Sequence, residues 1–125
     1  MAKSGECQVQ WLPDVEGHDY AAAESYLLLL LPPDRVRKIV ARLRPAEVTQ
    51  FKAKDIFRAS RLSLLGISNS HVEKDRKKIR KGVALSPLLL VRDTENGKVV
   101  IADGYHRLCA VYGFDEDAWI KCKIT

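Results

Sequence analysis

The sequence predicts a small α+β (mixed α/β) domain, a short mixed sheet flanked by helices, with an extra helical segment at the N-terminal end. Three observations carry that expectation. Val36, Ile39, Val40 and Leu43 recur at i, i+3, i+4 and i+7, the spacing of one helix face. Two apolar runs, Leu88–Val91 and Val99–Ala102, flank Asp93-Thr94-Glu95-Asn96-Gly97, a hairpin pattern in which glycine supplies a positive φ. A third run, Lys98 to Tyr112, reads as a strand, a glycine turn and a helix. A length of 125 residues suits one core.

Taken in order, Gln8–Leu12 reads as a short strand ended by Pro13. Asp19–Leu31 is rich in Ala and Leu, strong helix formers, and its nearly all-apolar end predicts burial or packing over a sheet. Pro32 and Pro33 end it, and Asp34 favours a new helix N-terminus whose outer side carries Arg35, Lys38 and Arg42 before Pro45. Val48–Ala53 is expected as a strand and Asp55–Ala59 as a short helix. Ser60–Ser70, with Gly66, is loop-like, and Ser68, Asn69 or Ser70 is placed to cap the next helix. That helix carries Val72 and Ile79 seven apart and ends before Gly82, so Lys74, Lys77, Lys78, Arg80 and Lys81 are expected at the surface.

The hairpin strands do not alternate polar with apolar, so both faces of their sheet are expected to be covered by helices. Tyr105–Tyr112 is expected as a helix with Leu108, Val111 and Tyr112 inward and Gly113 as its stop. Ala118–Ile124 alternates as a strand, with Lys121 and Lys123 facing outward.

Composition excludes several classes. Hydrophobic residues make up 46% of the chain, enough for a packed core rather than disorder. The longest apolar run, Leu27–Leu31, is too short to span a bilayer, and no secretory signal pattern opens the chain, so no membrane partner is expected. Cys7, Cys109 and Cys122 are an odd number without a Cys-x-x-Cys pair, which points to the reducing cytoplasm. His106 and Cys109 lie at i, i+3, but with Cys122 they fall short of the four close ligands of a zinc site, and Cys7 and His18 are remote. No metal site is expected, and Cys109 and Cys122 are read as buried small hydrophobes.

The charge is uneven. Residues 1–33 hold one basic and five acidic side chains, net −4; residues 34–82 hold 15 and 5, net +10; residues 83–125 hold 5 and 6, net −1. A basic middle segment attracts polyanions. The stretch 73–81 has no interleaved aromatics for base stacking, so weak non-specific contact is the expectation for nucleic acid.

Chemistry concentrates in the strand–turn–helix. The first N–H groups of a helix lack internal partners and carry the positive end of its dipole, which suits an anion. Gly104 permits close backbone approach, and His106 and Arg107 add donors, Arg with the geometry to bind phosphate through two N–H groups. Asp103, beside His106 in sequence, Asp55 and Glu73 are the carboxylates considered for acid–base work, Asp103 and His106 being the catalytic candidates.

At Gly104-Tyr105-His106-Arg107-Leu108-Cys109-Ala110 the sequence resembles the ParB/sulfiredoxin superfamily, whose partition proteins carry Gly-Glu-Arg-Arg-x-Arg-Ala and whose sulfiredoxins carry Gly-Cys-His-Arg at the equivalent strand-to-helix junction. The resemblance covers residues 48–125, and residues 1–47 are then a mostly helical extension packed on that core within one compact unit. It implies a stand-alone member that binds a nucleoside triphosphate, ATP or CTP with Mg²⁺, or another phosphate ligand. By position, Gly104, Tyr105, His106 and Arg107 contact it, and Arg58, Ser60, Arg61 and the region near Ser70 form the opposite wall.

Tyr105 stands in the place of the sulfiredoxin cysteine and Cys109 in that of the sixth-position partition-protein arginine, so neither family chemistry carries over whole. The chain after this helix is too short for a helix-turn-helix domain, so a full partition protein is not expected. The expectation is a regulatory or partner module whose protein partner the sequence does not name. The alternatives are a nucleotide-dependent phosphotransferase or nuclease, and a small nucleic-acid-binding accessory protein.

Overall fold

In the computed structural model, residues 8–64 and 69–125 are described. Cys7, Gly66 and Ser68, singled out in the sequence, lie outside them. The fold is α+β: a four-stranded mixed sheet between two helical layers. In chain order the elements are α1 (Gly17–Leu27), α2 (Pro33–Leu43), β1 (Thr49–Lys52), α3 (Ala53–Ser60), α4 (Ser70–Arg80), β2 (Leu88–Asp93), β3 (Lys98–Asp103), α5 (Tyr105–Phe114) and β4 (Trp119–Ile124).

The expected hairpin forms between β2 and β3, with Gly97 at φ 63° and the Asp93 carboxylate accepting from both the backbone and side-chain nitrogens of Asn96. The strand order is β1-β4-β2-β3. β4 runs parallel to β2 and antiparallel to β1, so it enters the sheet beside the hairpin after α5 has carried the chain across. Alternation along β2 sends Leu88 and Leu90 to one face and Leu89 and Val91 to the other. The first face is sealed by α3, α4 and α5 through Ile56, Val72, Ile79, Leu108 and Val111. The second is sealed by α1 and α2 through Ala23, Leu27, Val36, Val40 and Leu43. Both faces of the hairpin sheet are therefore covered, as its unbroken apolar runs predicted.

Four local expectations are corrected. The Gln8–Leu12 segment makes a single bridge, Trp11 beside Leu85, rather than a strand. The first helix begins at Gly17 and ends at Leu27, and Leu28, Leu29 and Leu30 form an exposed turn instead of its buried end. α5 runs through Gly113 to Phe114. Gly113 sits where Arg76 crosses the helix, and an added Cβ there would meet Arg76 Nη1 at 2.8 Å.

The fourth correction is Lys123, which is 2% exposed. Its Nζ donates to the Arg44 carbonyl at 2.7 Å and the Tyr20 hydroxyl at 3.0 Å, and pairs with Asp14 at 3.0 Å. A lysine buried this way needs its ammonium fully partnered. The N-terminal segment supplies those partners.

Among the described residues no helix is long and apolar enough to cross a membrane.

Candidate functional site

The β3–α5 junction forms as the sequence predicts. β3 ends at Asp103, Gly104 turns the chain at φ 109°, and α5 starts at Tyr105. Glycine is required there twice over: the φ is one that L side chains rarely adopt, and a Cβ would stand 2.6 Å from Leu88 Cγ. The N–H groups of Tyr105, His106 and Arg107 open the helix, and the first intrahelical bond runs from Leu108 N to Gly104 O at 3.0 Å.

The wall opposite this helix end is α4. His71, Lys74, Asp75 and Lys78 line a cleft of about 180 Å³ together with Asp103, Gly104, Tyr105, His106 and Arg107. Their spacing of i, i+3, i+4 and i+7 puts them on one side of α4, while Val72 and Ile79 face the core. The Asn69 side chain starts the helix by accepting from His71 N at 2.9 Å and Val72 N at 3.2 Å.

Arg58, Ser60 and Arg61, assigned by position to that wall, do not line the cleft. Arg58 pairs with Asp55 at 3.3 Å on the surface. The buried Ser60 hydroxyl donates to Phe57 O at 3.0 Å. Arg61, at φ 60°, donates to the Asn96 and Gly97 carbonyls and ties the end of α3 to the hairpin turn. Similarly, Asp55 is held by Arg58, and Glu73 by Arg80 at 3.1 Å. The cleft's carboxylates are Asp75 and Asp103. The signal for α4 lay in the sequence, as a helical repeat of polar rather than apolar residues.

The side chains of the motif divide their roles. Arg107 Nη2 contacts Asp103 at 3.0 Å, Asp19 at 3.5 Å and the Pro87 carbonyl at 3.5 Å, so much of its charge is committed to holding α1 onto the hairpin. Asp19 is 4% exposed and also lies 3.2 Å from His18 Nε2. The Tyr105 hydroxyl donates to the Ser63 carbonyl. The His106 ring lies 4.9 Å from that of His71.

Burial raises the Asp103 carboxyl above its usual range despite the Arg107 guanidinium, with Asp19 adding to the rise. Burial likewise raises Asp75, against the opposing pull of Lys78, Arg107 and His106. His106 is lowered by burial first, then by His71 and Arg107, with Asp75 pulling the other way. It is therefore a neutral ring at pH 7 that an arriving anion would favour protonating.

Cys109 and Cys122 are both buried and unbridged, and burial pushes the Cys122 thiol up to about 12, far from a thiolate. Among the described residues one group, Glu16, His18 and Asp19, brings three ligand-type atoms within 4.8 Å of one another, at the start of α1 rather than in the cleft. No protein-family model matches the chain, and no curated protein and no solved structure does either.

Proposed function

We propose that this chain is a phosphate-recognising module whose ligand, a nucleoside triphosphate such as ATP or CTP, sets its phosphates in the α4–α5 cleft. One observation carries the reading: Lys74 and Lys78 from α4 line the same cleft as the open N-terminus of α5 at the Gly104 turn. A helix N-terminus facing two ammonium groups is an anion site of a common kind. The cleft, about 180 Å³, is smaller than the roughly 300 Å³ at which most small-molecule sites begin, so it takes the phosphate chain and leaves the base outside. The resemblance of Gly104–Ala110 to the ParB/sulfiredoxin motif supports a triphosphate over a lone phosphate.

Asp75 forms no ion pair among the described residues and faces the same space, which suits a Mg²⁺ held by one carboxylate and phosphate oxygens. The same carboxylate beside His106 supports a second reading, a phosphotransferase or nuclease with Asp75 accepting a proton. Unbridged, buried thiols support a cytoplasmic setting.

Calorimetric titration of ATP, CTP, GTP and inorganic phosphate tests the site. Arg107→Ala is a poor probe because it strands the buried Asp19 carboxylate. In Lys74→Ala/Lys78→Ala, which leaves the core untouched, triphosphate affinity falls at least about tenfold, the loss of one or two charge-assisted contacts. Absence of binding by the wild type, or equal binding by the variant, rejects the site. Phosphate release or DNA nicking that disappears in Asp75→Asn would favour the enzyme over the binding module.

A further inference from the structure

A second, larger concavity lies on the opposite side of the sheet, away from the α4–α5 cleft. About 570 Å³ in volume, it runs between the end of α1, the face of α2 and the β2–β3 hairpin. Its floor is apolar, with Leu27, Ile39 and Val91 buried, and Leu30, Leu31 and Val100 leave aliphatic surface open to solvent. Leu28 and Leu29 precede Leu30 in the same turn, and Leu29 is 80% exposed. Four consecutive leucines, Leu28–Leu31, beside a trough with an apolar floor and polar walls are more than the scattered apolar exposure of an ordinary surface.

The charges around this trough lean positive. Arg35 and Arg42 project from α2 and Lys98 from the hairpin, and none of the three forms an ion pair among the described residues. The carboxylates at the trough are Asp93 and Glu95, and Asp93 is engaged by Asn96 in the turn and stands opposite Lys98 in the hairpin register.

We infer that this trough is a docking surface for an acidic, leucine-bearing peptide segment of a partner protein. Large aliphatic side chains would enter the trough and cover Leu30, Leu31 and Val100, and Asp or Glu on the flanks would meet Arg35 and Arg42, with Lys98 at the hairpin end. The chemistry selects against the other polyanions. Nucleic acid has no use for an aliphatic floor, and no aromatic ring lines the trough on which a base would stack. A lipid surface is flat and would meet only the protruding Leu28 and Leu29, leaving the recessed Leu27, Ile39 and Val91 unused. Rim charges of this kind steer encounter and set partner choice, so the interaction weakens with salt.

The test is selection of random dodecapeptides displayed on phage against the immobilised protein, followed by fluorescence-polarisation titration of the enriched sequences. The expected sequences carry a net negative charge and at least two large aliphatic residues. Their affinity falls about tenfold or more in Arg35→Glu/Arg42→Glu, whose substitutions lie on the exposed side of α2, and in Leu30→Asp, and is unchanged in Lys74→Ala/Lys78→Ala. Failure to enrich any sequence, enrichment without acidic residues, or retained binding in both trough variants overturns the inference. Parallel titrations with single-stranded DNA and phosphatidylserine vesicles complete the experiment. Binding to either that is lost in the trough variants, without a peptide that behaves so, reassigns the surface and overturns it as well. Because the α4–α5 variant is measured alongside, failure here and failure of phosphate binding are distinguishable.

Discussion

Lys123 shows most directly how a single side chain can belong to the far end of the chain. Strand alternation sends it to the face opposite Cys122, where helices α1 and α2 cover the sheet rather than water. Burial disfavours its ammonium, but the hydrogen bonds to Tyr20 and Asp14 outweigh that, and the group is held above its ordinary 10.5. Its stabilising contribution is thus present below that value and lost as pH climbs through the raised one. Lys123→Met fills the space yet leaves the Arg44 carbonyl without its donor. We expect a loss of about 1–3 kcal/mol, read as a lower urea midpoint at unchanged slope.

Gly104→Ala meets both a forbidden φ and the Leu88 side chain. It should cost more than about 1 kcal/mol and abolish phosphate binding, checked by thermal melting and calorimetry together. His106 gives a pH test. It faces His71 and Asp75 across the cleft and Arg107 on its own helix, and in the free protein it titrates below 6.5. An anion favours the protonated ring, so phosphate affinity should rise as pH falls from about 7.5 to about 5.5. His106→Gln should flatten that rise, and an unchanged profile would place the titrating group elsewhere.

At the scale of elements, α4 carries the distinction between a solvated basic helix and a binding wall. Its cations were legible in the sequence as charge but not as orientation, because the two apolar residues Val72 and Ile79 fix only which side is buried. The flanks were left undetermined until α5 docked beside them. Lys74 and Lys78 flank the cleft, whereas Lys77 and Lys81 are exposed and do not line it. Lys77→Ala/Lys81→Ala should therefore change triphosphate affinity by no more than about twofold at physiological salt, where distant exposed charges are screened. A loss matching that of Lys74→Ala/Lys78→Ala would indicate diffuse attraction to the whole helix.

The loop candidates Arg58, Ser60 and Arg61 fell elsewhere for a related reason. Their place before α4 in sequence said nothing about the pull of the hairpin turn, whose carbonyls Arg61 caps.

In the molecule as a whole, residues 17–43 form one of the two helical layers, not an appendage, while Val9 and Trp11 pack against the opposite core. Val36, Val40 and Leu43 are packed with Leu89, Val91 and Ala102 of the sheet, and Asp19 and Asp14 hold Arg107 and Lys123. A fragment spanning residues 48–125 would expose that sheet face, leave Lys123 unpartnered and strip Asp19 from Arg107. It should bind an apolar dye and unfold without a cooperative transition, measured by dye fluorescence and urea titration. Cooperative unfolding of the fragment would show that the second layer is dispensable.

The sequence by itself determined the hairpin, the amphipathic α2 and the Gly104 junction, and narrowed the α4 cap to Ser68, Asn69 or Ser70. Each follows from φ preferences, periodicity or capping among residues a few positions apart. Only the tertiary structure decided that β4 slides in parallel beside β2, that Lys123 is buried, and that α4 rather than Arg58, Ser60 or Arg61 lines the cleft at Gly104. Those outcomes depend on which layers stack against which, a choice made by contacts dozens of residues apart that no local pattern encodes.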